Sequence, residues 1–271
     1  MLIHGADDLV DGIGLNRGRL LEWEGCDNLR DLGGFHVAGG GRTRDGAVVR
    51  GGNPSLLTPA GERALLEYGI RTIFDLRKPE EVEAHPNPLM GRAPELDIVN
   101  VSIIDPAARP PDRFARKAED YCSVVERFGP ALGRIVTLVA RARPGGVLIH
   151  CMGGIDRTGI VCALLLGAVG VDRVDIAEDY ALSQESQRRV WAGILADLPS
   201  GREEKQRELE WHLATSQVML AVLDFIEDRY GGVAGYLARV GVAPADLERI
   251  RERLVEVGGT TEVAMPAPSE A

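Results

Sequence analysis

The sequence predicts an α/β fold: a central, partly parallel sheet flanked by helices, with a helical extension towards the C-terminal end. Three observations carry that expectation. Gly146-Val147-Leu148-Ile149 is a short apolar, β-branched run that reads as a buried strand. Through a glycine-bearing turn it enters Gly159-Ile160-Val161-Cys162-Ala163-Leu164-Leu165-Leu166, which suits a buried helix. Upstream, a capped helix leads into an apolar strand at Arg71 to Asp75, the order that builds parallel neighbours.

Taken in order, residues 1–19 are rich in glycine and aspartate and read as an extended arm. Leu20 to Trp23 and Phe35 to Val37 suit strands, Gly39-Gly40-Gly41 a turn, and Val48 to Arg50 another short strand. Thr58-Pro59-Ala60-Gly61-Glu62 opens a helix with an N-cap, a proline at the first helical position and an early glutamate; Gly69 ends it. From Pro86 to Pro111 prolines interrupt the chain, with one strand near Ile98 to Ile103. Arg116 to Phe128 and Ala131 to Ala142 are expected helices. Val174 to Leu182 is followed by a long helical region reaching Glu256, in which Ser216 to Arg229 carries apolar residues at helical spacing. The main domain is expected over 20–257, and 258–271, rich in proline and small residues, is expected to be a disordered tail.

The 271 residues carry a net charge of −10, which argues against a nucleic-acid surface. With 45% apolar and 27% charged residues the composition is that of a globular protein. No basic leader precedes an apolar stretch and no run approaches about 18 apolar residues, so neither a signal peptide nor a membrane span is expected. Four cysteines do not suggest a disulfide framework, and the five histidines are scattered. Neither a metal nor another cofactor is expected. The expected compartment is the cytoplasm, whose reducing chemistry would keep Cys151 a thiol.

The chemistry concentrates in His150-Cys151-Met152-Gly153-Gly154-Ile155-Asp156-Arg157-Thr158-Gly159. A strand, a tight turn and a helix start form an anion cradle, because backbone N–H groups and the positive end of the helix dipole face one point. Cys151 opens the loop and Arg157 closes it. A cysteine beneath amides, a helix N-terminus and a guanidinium is expected to lose its proton readily. Arg157 can grip two phosphate oxygens in its planar fork. Gly153 and Gly154 let the backbone turn inward, and Met152, Ile155 and Thr158 complete the expected substrate-binding loop. Such a site suits attack of a thiolate on phosphorus, followed by hydrolysis of the phosphocysteine.

This loop resembles that of the cysteine-dependent phosphatases. The longer pattern His-Cys-x-x-Gly-x-Asp-Arg-Thr-Gly is similar to the atypical bacterial tyrosine/serine phosphatases, some of which also act on phosphoinositides. Four flanking stretches share the resemblance: Asn28-Leu29-Arg30-Asp31-Leu32-Gly33-Gly34, Val49-Arg50-Gly51-Gly52-Asn53, Thr72-Ile73-Phe74-Asp75-Leu76-Arg77, and Tyr230-Gly231-Gly232-Val233-Ala234-Gly235-Tyr236-Leu237. The resemblance implies a phosphorylated protein or small phosphomonoester as substrate. Because some relatives are exported without a recognisable signal, export stays open beside the cytoplasm. The charged run Gly201 to Glu208 reads first as a solvated helical face; the resemblance offers a helical lid over about 184–215 instead.

Each side chain in the loop has a plainer alternative. Cys151 could be a small buried apolar residue, but no second cysteine stands at metal-ligand spacing. Thr158 is expected either to donate to the sulfur or to cap the helix. His150 is read as orienting the loop rather than exchanging protons. The leaving oxygen needs a proton donor, and no tryptophan is followed by Pro-Asp. The resemblance assigns that task to Asp156, whose pKa the nearby thiolate would raise; Asp112, Asp105 and Asp75 are its rivals. Asp75 has a strand-end salt bridge with Arg77 or Arg30 as its plainer alternative. Asn28, Arg30 and Asp31 are expected to brace the loop. The related phosphatases usually carry lysine where Ile155 stands, so an apolar rim favours phosphotyrosine-type esters over phosphoinositides. A phosphate-binding module without turnover and a sulfur transferase of the rhodanese type are the alternative functions.

Overall fold

The computed structural model describes residues 19–91, 94–103, 117–211 and 213–256. The expected arm up to residue 18, the candidate acids Asp105 and Asp112, and the expected tail lie outside the described residues.

Five strands form the main sheet: β1 (Arg30–Asp31), β3 (Val48–Gly51), β4 (Ile70–Asp75), β5 (Asp97–Asn100) and β6 (Gly146–His150), in the order β1-β3-β6-β4-β5. Only β1 runs antiparallel to its neighbour; the other pairs are parallel. The α/β architecture expected from the sequence is therefore present. In β6, the middle strand, every residue is buried. Its side chains alternate between two cores, as the period of a strand requires. Val147 and Ile149 join the large core with α3 (Lys117–Arg127), α4 (Gly129–Ala140), α5 (Asp156–Ala168), α6 (Arg173–Ala181) and α9 (Ser216–Tyr230). Leu148 points the other way, into a smaller core with Leu65 of α1 (Pro59–Glu67), Trp23 and Leu29.

Local signals explain several of these elements. Thr58 caps α1 by accepting from Gly61 N–H, with Pro59 at its start, and Gly69 turns the chain away at a φ of 94°. From Thr158 to Leu166, α5 is buried on all sides and runs through the large core. The expected strands at Leu20 to Trp23 and Phe35 to Val37 are reduced to isolated bridges, Leu20 with Arg30, Trp23 with Cys26, His36 with Arg42 and Val37 with Val171. Glycines with positive φ at 25, 34 and 39–41 bend the chain after each pairing. Strand β5 stops at Asn100, whose amide donates to the carbonyls of Asp75 and Arg77.

Two elements depart from the expected layout. The short helix α2 (Pro79–Ala84) was not foreseen; it starts on Pro79, and Glu81 accepts from Lys78 N–H at 2.8 Å. The helical region at the C-terminal end breaks into α7 (Ser183–Ala196), α8 (Arg202–Trp211), α9, α10 (Val233–Arg239) and α11 (Pro244–Leu254), and ends in a strand. That strand, β7 (Val255–Glu256), pairs with β2 (Arg42–Thr43) and ties the end of the described chain to its beginning. Among the described residues no helix is long and apolar enough to cross a membrane.

Candidate active site

The 151–158 loop leaves the C-terminal end of β6 and enters α5, so it sits at the edge of a parallel sheet where strand carbonyl ends meet a helix N-terminus. Its carbonyls are held from outside. Asn53 N–H donates to Met152 O at 2.9 Å, and the Asn28 amide donates to Gly153 O at 3.0 Å and Gly154 O at 3.1 Å. Arg50 adds a bond to Gly154 O at 3.0 Å. The peptides are trans, so a carbonyl turned outward turns the following N–H inward. Three consecutive N–H groups, on Gly153, Gly154 and Ile155, thus face the hollow of the loop. Gly154 has a φ of 68°, and a Cβ there would lie 2.3 Å from Gly51 O, so only glycine fits.

Cys151 is 2% exposed at the base of this loop. Arg157 is half-buried at its other end and is held by Glu81 of α2, NH1 to Oε2 at 2.5 Å and NH2 to Oε1 at 2.9 Å. NH1 also donates to Leu76 O at 3.5 Å. These contacts use the end of the guanidinium. Its long edge, Nε–H with the second NH2 hydrogen, remains as a fork matched to two oxygens of a phosphate. Arg157 bonding holds the Glu81 carboxyl down at about 2 although burial opposes it, so the pair is ionic at neutral pH. The sequence reading missed both α2 and Glu81, although Lys-Pro-Glu-Glu is a helix-start pattern; nothing in it marks Arg157 as the partner.

Beneath the loop lies a buried ionic layer. Asp179 of α6 accepts from Arg19 at 3.1 Å, Arg30 at 3.1 Å and Arg50 at 2.8 Å. Arg30 also donates to Asn28 Oδ1 at 2.7 Å, fixing the amide that holds the loop. Asp75 is gripped by Arg77 through Nε and NH2, so its strand-end ion pair is with Arg77 and not Arg30. His150 donates from Nδ1 to Cys151 O at 3.1 Å. Burial depresses its pKa to about 4, outweighing Asp75, so the ring is neutral and its Nε2, 3.8 Å from Asp75, makes no ion pair at pH 7. The Asp31 main-chain carbonyl accepts from Arg19 at 3.4 Å, but the side chain does not join this layer. Its oxygens accept from Gly33 N–H, Gly46 N–H and the Tyr68 hydroxyl at the far end of the sheet, because β1 runs away from the loop.

Asp156 begins α5 with its side chain open to solvent on one side and closely packed on the other. Lys117 lies 3.0 Å from Oδ1, and the Tyr121 hydroxyl donates to the same oxygen while meeting Tyr180 Oη at 2.7 Å. Burial pushes the carboxyl pKa up, but Lys117, Tyr121 and Arg157 together bring it below its ordinary value. The expected rise driven by the thiolate is therefore overturned, since the governing neighbour is an ammonium. Thr158 lies inside α5 and does not cap it; its hydroxyl is buried and has no partner among the described residues. Ile155, the residue before the helix, is half-buried against the large core, so it forms only part of the rim.

A parallel sheet whose middle strand delivers a cysteine into an amide-lined loop closed by arginine defines a cysteine-dependent phosphatase. The chain belongs to the tyrosine phosphatase family, whose model matches residues 21–256. It is similar to a tyrosine-protein phosphatase of Nostoc commune, 28% identical over 225 residues, covering 78% of this chain and 75% of the relative. It is also similar to the triple specificity protein phosphatase PtpB of Mycobacterium tuberculosis, 30% identical over 281 aligned residues, covering 85% and 97%.

Proposed function

We propose that the chain hydrolyses phosphomonoesters without a metal, with phosphotyrosyl protein as the leading substrate. Cys151 sulfur attacks phosphorus, the ester P–O bond breaks, and the leaving oxygen takes a proton from Asp156. Water then attacks the phosphocysteine and gives a proton back to Asp156, the P–S bond breaks and phosphate departs. Arg157 and the inward N–H groups hold the equatorial oxygens through both steps. The observation that carries this reading is the outward anchoring of three loop carbonyls, with Arg157 fixed at the end of the same loop by Glu81.

Asp156 must be protonated when the ester bond breaks. Lys117 opposes this, and a bound phosphate dianion favours it, because like charge raises a carboxyl pKa. His150 serves as a positioning residue that fixes Cys151 O, and Thr158 offers the sulfur a hydroxyl as it leaves in the second step. The apolar Ile155 at the rim supports aryl phosphates ahead of phosphoinositides. We read 20–257 as one catalytic domain acting in a reducing compartment.

Turnover of p-nitrophenyl phosphate by the intact protein, lost in Cys151→Ser, tests the reaction. No turnover by the intact protein would leave the phosphate-binding module instead, and thiosulfate-to-cyanide transfer would point to sulfur chemistry. Asp156→Asn should slow esters with poor leaving groups far more than those with good ones; equal losses move the acid elsewhere.

A further inference from the structure

A groove of about 730 Å³ is linked to the phosphate loop through Asn28 and is walled by the 20–30 segment, Leu56 and the start of α7. It is anchored in register with the loop. Asn28 lines it while bonding Gly153 O and Gly154 O. Asp27 O accepts from Gly52 N–H at 2.8 Å, one residue before the Asn53 amide that holds Met152 O. Asn28 therefore holds the groove at a fixed offset from the loop.

The charge of the groove opposes that of the loop. Glu22, Glu24, Asp27 and Glu185 line it with exposed side chains, against Arg189, the one exposed cation lining it among the described residues. Arg30 also borders it but is 1% exposed and committed to Asp179, so it offsets little at the surface. Apolar surface stands beside the acids: Leu56 is 78% exposed and Leu20 51%. An anionic membrane or a multiply phosphorylated head group would be repelled by such a wall, whereas a chain with one phosphate and a nearby cation matches both halves.

Resting on the phosphatase reading above, we propose that this groove seats the residues flanking the phosphotyrosine of a protein substrate and selects a basic side chain next to an apolar one. Charge complementarity carries the choice of occupant, and the loop anchors carry its register.

The test is a set of phosphotyrosyl peptides in which arginine or glutamate is scanned through the positions on either side. At one or more positions arginine should raise kcat/KM about three- to tenfold over glutamate, mainly through KM, since arginine gains the attraction of the exposed carboxylates and glutamate meets their repulsion. The preference should shrink with salt. It should vanish or invert in Glu22→Lys/Glu185→Lys, with p-nitrophenyl phosphate turnover unchanged; Glu22→Gln/Glu185→Gln, a gentler variant, should fall between. A flat scan, a preference that survives the charge reversal, or faster release of phosphate from inositol phosphates than from the arginine peptides overturns the groove. Should the intact protein fail on p-nitrophenyl phosphate, that failure falls on the catalytic reading alone. Fluorescence anisotropy of the same peptides on Cys151→Ser then still decides: tighter binding of the arginine set supports the groove, and equal binding overturns it.

Discussion

Two buried carboxylates at opposite ends of one sheet show how differently this protein treats charge. Asp179 is 1% exposed and Asp31 3%. Burial alone raises the pKa of both, yet they end on opposite sides of the ordinary value. At the loop end, the charges of Arg30, Arg50 and Arg19 overcome burial and draw Asp179 down to about 2. At the far end the Asp31 carboxyl accepts from neutral donors among the described residues, which offset part of the burial, and its pKa stays raised. Within the first cluster one carboxylate serves three guanidiniums beneath the loop. The second is a structural pin. Positive charge is concentrated where the sheet meets the loop, in a chain whose net charge is −10.

Breaking the comparison at its charged end should cost most. Asp179→Asn leaves guanidiniums buried without their counter-charge and should lower stability by about 3–5 kcal/mol in urea unfolding; a loss near zero would show that the arginines find other partners. Arg157→Lys should leave folding intact and lower kcat by about 10²- to 10³-fold, because an ammonium cannot supply the two-pronged edge. At the far end, Asp31→Asn should cost about 1–3 kcal/mol by unpairing amide donors, with kcat per folded molecule unchanged. A fall in kcat there would erase the distinction between the two ends.

Acid should separate the groups that share the loop end. His150 has a folded pKa of about 4, below its unfolded value near 6.5, so its contribution is complete above that value and lost as pH falls towards 4. Asp179 follows, its contribution lost from about pH 4 down to 2. Each proton costs about 1.4 kcal/mol per pH unit across its window. Stability of a His150→Gln variant should lack the first slope and keep the second. The smallest effect belongs to Lys117→Met. Removing that ammonium raises the Asp156 pKa, so the basic limb of kcat on poor leaving groups should move to higher pH. A limb that stays in place would take the acid role from Asp156.

Much of this was legible before any coordinates. The strand, turn and helix around Cys151 depend on residues within about twenty positions of one another, as does the Thr58-Pro59 start of α1. The requirement for glycine at 154 shows in the sequence, although its reason, the nearness of Gly51 O, does not. Asn28 bonds the loop and Arg30 bonds Asn28, whereas the Asp31 carboxylate, one residue further, turns to Gly33 and Gly46, because successive side chains of a strand point to opposite faces. Glu81, Lys117, Tyr121 and Asp179 were missed for another reason. Each stands on an ordinary helix, and nothing in its local pattern marks the residue it meets.

By itself the sequence determined the class of chemistry and the element that carries the proposed reacting groups, because a cysteine, a glycine-bearing turn and a helix start are contiguous along the chain. Tertiary structure alone decided which charges surround them: Glu81 on Arg157, Lys117 on Asp156, and Asp179 among three arginines. Electrostatic energy depends on separation in space and on exclusion of water, and both are set only when distant helices pack against the sheet.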